Sequence, residues 1–307
     1  MSVLKEGAYT VPSRVIGIYN YLIKAKGHQE NREKLYQVLS PISLLMSLNK
    51  KKQDVSSNLD EIPEEEIKKD PHKMIKAVTR QCINMGLLIE DDASIKLNPE
   101  INKKDSLPSI VVNLFLSPDN CENHDFARVI AWYLAQNFYD APGNWEETET
   151  QLRQQVGDGL LELNDTRYGQ FEDWSCYLGF CWRNSLSKKP VLVPDPTVYL
   201  RYNLKRLFNN QVNQQLPLAE FINRLGKYCP IFETGQFREE IEQQIELREP
   251  NHLSGVTSIA LRRLEDEGSI RLEKLSDAPV LLLTAGFGDP GISHITWLGS
   301  KTNGGQS

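Results

Sequence analysis

Apolar residues recur at helical spacing along most of the chain, broken in a few places by short alternating runs. Pro12-Ser13 is a helix start, and Val15, Ile16, Tyr19, Leu22 and Ile23 follow at a spacing that predicts an amphipathic helix ending before Gly27. A second helical run covers Glu30 to Leu39, with Leu35, Val38 and Leu39 apolar, until Ser40-Pro41 interrupts it and a short apolar stretch, Ile42 to Leu48, continues. From Asn49 to Asp70 the sequence is polar without sustained periodicity, which reads as an exposed, mobile insertion. Asp70 as cap and Pro71 at the first helical position then open a third helix, whose stripe of Ile75, Val78, Cys82 and Met85 runs to a stop at Gly86. Leu87–Glu90 and Ser94–Asn98, joined by Asp91-Asp92-Ala93, form the pattern of a hairpin.

The same order recurs near the C-terminus. Helices are predicted over Leu218–Leu225 and Phe237–Leu247, then a third whose apolar face is Val256, Ile259, Ala260 and Leu264, stopped by Gly268. Ser269–Leu275 and Val280–Thr284 supply the expected second hairpin. The region between is aromatic-rich and reads mainly as helices over His124–Tyr139, Trp145–Val156, Phe171–Trp182 and Thr197–Val212. The expected fold class is therefore mainly α with small β-hairpins: a winged-helix module over 1–105 with its inserted loop at 49–70, a helical middle domain over 106–215, and a second winged-helix module over 216–307.

Composition narrows this picture. The 307 residues are 40% hydrophobic and 25% charged, the profile of a soluble globular protein. The first thirty residues show no secretory pattern and no run of about 18 apolar residues occurs, so a cytoplasmic protein with no membrane association is expected. Five scattered cysteines, Cys82, Cys121, Cys176, Cys181 and Cys229, fit reduced thiols. A net charge of −6 confines any nucleic-acid surface to a patch, and residues 1–58 hold nine Lys or Arg against four Asp or Glu.

The third helix of a winged helix presents its outer face to the major groove. In the first module that face carries Lys73, Lys76, Arg80 and Asn84, with Lys96 on the wing, a stripe suited to phosphates and base edges. In the second, Thr257, Ser258, Arg262 and Arg263 are the expected counterparts, but Glu265, Asp266 and Glu267 follow at once and oppose a phosphate. The first module is thus the expected reader of duplex DNA, and the second a protein dock. The alternative for both is a solvated or protein-binding polar face.

Other motifs carry less. Gly286-Phe287-Gly288-Asp289-Pro290-Gly291 matches a dinucleotide fingerprint in letters, but Pro290 and the 16 residues after the motif leave no room for the helix and acidic residue that site requires. Cys176 and Cys181 have no partner pair or neighbouring histidine, as structural zinc would need, and the five histidines, His28, His72, His124, His252 and His294, are isolated. His124-Asp125 and Glu172-Asp173 read as helix-flanking acids. No catalytic centre, cofactor or metal is expected. The aromatics from Trp132 to Trp182 read as core rather than base-stacking groups.

Val11–Leu22 (V-P-S-R-V-I-G-I-Y-N-Y-L), the wing-like M-G-L-L-I-E-D-D-A-S-I-K-L and the C-terminal L-R-R-L-E-D-E-G-S-I-R-L together resemble the DpdG proteins. These accompany bacterial clusters that insert 7-deazaguanine derivatives into DNA and restrict unmodified DNA. The resemblance implies a cytoplasmic bacterial accessory protein working beside helicases and ATPases in defence, and carries over no functional residue. The expected function is a non-enzymatic DNA-associated adaptor that touches duplex DNA and docks a larger ATPase, helicase or nuclease. A protein-binding winged-helix subunit of an SMC-like or other ATPase complex without its own DNA contact is the first alternative, and a transcriptional regulator the second.

Overall fold

The computed structural model describes residues 9–41, 43, 70–117, 124–157, 161, 163–186, 190–245, 248–284, 288 and 290–299. Among these residues the chain is mainly helical, with eleven α-helices and several small sheets, and it divides into two compact units, Met1–Phe115 and Leu116–Ser307. The stretch Ile42 to Leu48 and the expected insertion lie outside the described residues, apart from Ser43 and Asp70.

The first unit begins with α1 (Pro12–Lys24), which buries Val15, Ile18, Tyr19 and Leu22. β1 (Gln29–Asn31) leads into α2 (Arg32–Leu39), whose cap is the Asn31 side chain accepting from the amides of Glu33 and Lys34. Val38, expected on the apolar side, is exposed. α3 (Lys73–Asn84) starts a turn later than Asp70-Pro71 suggests, because the Asp70 carboxylate accepts from the His72 amide and forms a turn ahead of the helix. Its buried side holds Ile75, Val78 and Cys82 as expected, and it packs on α1 and α2. Burying aliphatic side chains such as these contributes about 1.5–3 kcal/mol each. β2 (Leu88–Asp91) and β3 (Ser94–Leu97) form the expected hairpin, and β1 adds a third strand that the pattern does not signal, in the order β1-β3-β2. α4 (Leu107–Leu116) follows.

The second unit contains α5 (His124–Ala135), α6 (Trp145–Gln155), α7 (Asp165–Tyr177) and α8 (Thr197–Leu207). α7 is shifted from the expected Phe171–Trp182. It starts at the Asn164 cap and stops before Gly179, so Cys181 and Trp182 lie instead in β4 (Cys181–Asn184), which pairs with β5 (Val191–Pro194). The aromatic core forms around Trp132, Tyr133, Phe171, Trp174 and Phe180, all fully buried, whereas Tyr139 and Trp182 are exposed.

Beyond α8 come β6 (Gln215–Pro217), α9 (Leu218–Tyr228), α10 (Gln236–Glu242), β7 (His252–Leu253), α11 (Gly255–Asp266) and β8 (Ile270–Glu273). The expected partner of β8, Val280–Thr284, lies in a different sheet. β9 (Leu281–Leu283) pairs antiparallel with β10 (Gly291–Ile292) and parallel with β7. β8 pairs with β11 (His294–Trp297), Ile270 opposite Trp297 and Leu272 opposite Ile295. β8 alternates buried and exposed residues, as a strand with one covered face does, whereas the all-apolar Leu281-Leu282-Leu283 takes the middle of its own sheet, between β10 and β7.

Two regularities connect the parts. The sheet β6-β11-β8 repeats the order of β1-β3-β2: the strand before a helix pairs with the last strand, which pairs with the strand leaving the final helix. In this comparison α8 corresponds to α1 and α11 to α3. The exit from the final helix is also the same. Gly86 (φ 84°) donates to Ile83 O and Leu87 to Cys82 O, and Gly268 (φ 70°) donates to Glu265 O and Ser269 to Leu264 O. Gly179 (φ 81°) makes a third copy between α7 and β4, with bonds to Cys176 O and from Phe180 to Ser175 O. The left-handed glycine closes the orphan carbonyls of each helix and turns the chain into the strand that follows.

Candidate nucleic-acid interface

At about 100° of rotation per residue, Lys73, Lys76, Arg80 and Asn84 fall together on one side of α3, opposite the side that holds Ile75, Val78 and Cys82. Lys73 and Arg80 are exposed, and Lys76 and Asn84 are half-buried. The sequence order therefore does place the four on a common outward face. Lys76 Nζ already contacts both oxygens of Asp70, at 2.9 and 3.0 Å, and this contact, ahead of the His72 amide, lowers the Asp70 carboxyl below its usual range. Arg80 makes no ion pair among the described residues.

The wing departs from the expected basic element. Lys96 is ion-paired with Asp91 across the hairpin, and Glu90 accepts from Arg32 of α2. Glu90, Asp91 and Asp92 are all exposed, so the hairpin tip is acidic. Beside it lies an open cleft of about 800 Å³ whose lining includes Lys24, Lys26, Lys34, Glu30, Asp91 and Asp92. Hydrogen bonds from Lys34 and then Tyr21 hold the Glu30 carboxyl down at about 2.

The corresponding helix α11 is placed differently. It packs against α8, α5, β8 and β9, and Thr257 and Ser258 are buried rather than available on an outer face. Ser258 Oγ accepts from the Thr284 amide at 3.0 Å. Arg262 pairs with Glu265 at 2.8 Å, and Arg263 pairs with Asp195 at the start of α8. Both arginines thus have carboxylate partners within their own unit.

Sequence patterns gave no sign of a buried charge network at the entry to α11. Glu233, fully buried and at φ 37°, accepts from Ser254 Oγ at 2.6 Å and is ion-paired with Arg248. Arg248 also reaches Glu242 at 3.3 Å, and Glu242 accepts from Arg238 Nε at 2.7 Å. Arg238 is 1% exposed, and burial pushes its guanidinium and that of Arg248 down from their usual values. Arg238, Glu242, Arg248 and Ser254 line a cavity of about 290 Å³. Two arginines and two glutamates balance each other there, and Ser254 caps α11 by accepting from the Thr257 amide. The only local signal was the single arginine heading three glutamates in R-E-E-I-E, too short to distinguish from a solvated helix.

Among the described residues no group of three or more His, Cys, Asp or Glu stands together as metal ligands. Cys82, Cys176, Cys181 and Cys229 are free thiols, and Cys121 lies outside the described residues. Burial raises Cys176 to about 11 and Cys229 to about 12. Gly291 of the glycine motif opens the strand β10, not a helix, while Gly286, Phe287 and Asp289 lie outside the described residues. His124 opens α5, as its helix-flanking reading expects, whereas Glu172 and Asp173 lie inside α7 rather than flanking it, where Arg183 bridges Asp173 at 2.7 Å and Glu172 at 3.5 Å. None of the described helices is long and apolar enough to cross a membrane.

A family model described as DpdG-like matches residues 1–278, nearly the whole chain. The chain belongs to the DpdG-like family. The DpdG-like proteins are a component of 7-deazaguanine DNA modification defence systems, and the family suggests association with other Dpd proteins. No curated protein and no solved structure matches this family member.

Proposed function

We propose that this DpdG-like chain is a non-enzymatic adaptor that contacts duplex DNA through α3 and docks a larger ATPase, helicase or nuclease of the same defence system. The carrying observation is the outward stripe Lys73-Lys76-Arg80-Asn84 on the helix that precedes the hairpin. Helix, strand, two further helices and a hairpin, with sheet order β1-β3-β2, is the arrangement of a winged helix, and we read the first unit as one. The β6-β11-β8 repeat supports the same reading for α8 to β11, with β7, β9 and β10 as additions. In that second module Arg262 and Arg263 are occupied by carboxylates, which supports a docking role over a DNA contact.

Duplex binding measured at several salt concentrations tests this. Each phosphate contact contributes about 0.9 to the slope of log affinity against log salt, so Lys76→Ala with Arg80→Ala is expected to flatten the slope by roughly 2 and weaken binding without unfolding the protein. Salt-insensitive or unchanged binding would sink the DNA contact. The acidic tip at Glu90, Asp91 and Asp92 favours a second reading, a purely protein-binding subunit. In that case duplex retention appears only when an ATPase partner is added.

A further inference from the structure

The outer face of α8 has a composition that the α3 interface does not use. Its buried side holds Tyr199, Leu200, Asn203, Leu204 and Leu207. At about 100° per residue the opposite side gathers Val198, Arg201, Tyr202, Lys205 and Arg206, and all five are exposed. The helix T-V-Y-L-R-Y-N-L-K-R-L contains no carboxylate. Tyr202 is 79% exposed, with Arg201 immediately before it and Lys205 and Arg206 one turn on.

The cations differ in what already holds them. Arg201 makes a two-pronged contact with Glu267, Nε to Oε2 at 2.8 Å and Nη2 to Oε1 at 2.5 Å. The Arg206 guanidinium lies 3.8 Å from the centre of the Tyr228 ring and donates to its hydroxyl at 2.6 Å, which fixes its plane without neutralising its charge. Lys205 and, on the last turn of α9, Lys227 are exposed and have no ion-pair partner among the described residues.

Positive charge that the surface itself does not neutralise selects a polyanion. The standing ring selects among polyanions. Bases in a duplex already cover one another's faces, so an exposed tyrosine gains little there, whereas an unpaired base can stack on it while neighbouring cations meet the backbone. We propose that the α8 face binds single-stranded nucleic acid, with Tyr202 stacking on a base and Lys205, Arg206 and Lys227 neutralising adjacent phosphates. This contact lies in the second unit and does not depend on the duplex contact proposed for α3.

Fluorescence anisotropy of the full-length protein with a labelled oligothymidylate and, separately, a labelled blunt duplex tests the proposal. Tyr202→Ala is expected to weaken oligothymidylate binding by roughly tenfold, and Tyr202→Phe to retain it. Lys205→Ala is expected to reduce the salt slope for the single strand by about 0.7. Neither alanine variant should alter duplex binding, and Arg80→Ala should alter duplex binding alone. Absence of oligothymidylate binding, or binding untouched by both alanine variants, overturns the α8 site whatever the duplex result. Equal losses on single strand and duplex with Tyr202→Ala would overturn it too.

Discussion

Asp70 occupies Lys76 through both carboxylate oxygens, so a phosphate arriving at α3 has to compete with a carboxylate already in place. Asp70→Asn is therefore expected to raise duplex affinity with little change in the salt slope, since Lys76 already counts among the phosphate contacts, a gain of function readable in the same titration. The pair is exposed and contributes less than about 1 kcal/mol to stability. Because the folded carboxyl titrates below its ordinary value, that contribution is present above the ordinary value near 3.8 and disappears as pH falls through the depressed one. The Asp70→Asn variant should lack this step in an acid unfolding series. The α3 stripe itself was legible, since spacing of three and four residues fixes a helix face. Asp70's second role was not, because six residues and a turn separate it from Lys76. Thr257 and Ser258 misled for a different reason: a helical wheel shows which side of α11 is apolar, but not that α5 and α8 cover part of the remainder.

At the scale of elements, the recurring unit is a helix closed by a left-handed glycine and followed by a strand. Two of its three copies were readable as M-G-L-L-I and E-G-S-I-R-L. The third, L-G-F-C-W, obeys the same rule, but the aromatic residues on either side of Gly179 sustain a helical pattern that hides the stop. A β-carbon at Gly179 would sit 3.0 Å from Val198 Cγ1 and 3.1 Å from the Tyr199 amide, whereas one at Gly86 meets only Leu114 at 3.6 Å. The left-handed backbone costs a non-glycine residue about 1–2 kcal/mol. Gly86→Ala is expected to lose that amount in chemical denaturation, and Gly179→Ala clearly more because crowding adds to it. Equal losses would mean that the α7–β4 junction relaxes freely. The hairpin partner of β8 was hidden by distance: β11 lies some twenty residues beyond it, past the β9–β10 insertion, and no local pattern joins the two.

On the scale of the whole molecule, two compact units on one chain need not unfold together. Leu22 is fully buried in the first. Leu22→Ala removes core contacts worth about 2–5 kcal/mol and is expected in calorimetry to lower one transition while leaving the other in place; a single transition shifted as a whole would show that the units melt as one. The polar stretch at 49–70 falls within the first unit rather than at its end. The acidic hairpin tip has one further consequence for the proposed duplex contact. Arg32 and Lys96 offset Glu90 and Asp91, so Asp92 is the tip carboxylate with no ion-pair partner among the described residues, on the element that follows the basic face of α3. In the proposed contact, a groove that draws in the helix would meet that one unbalanced carboxylate on the hairpin, so the two elements would not be interchangeable in how they approach the double helix.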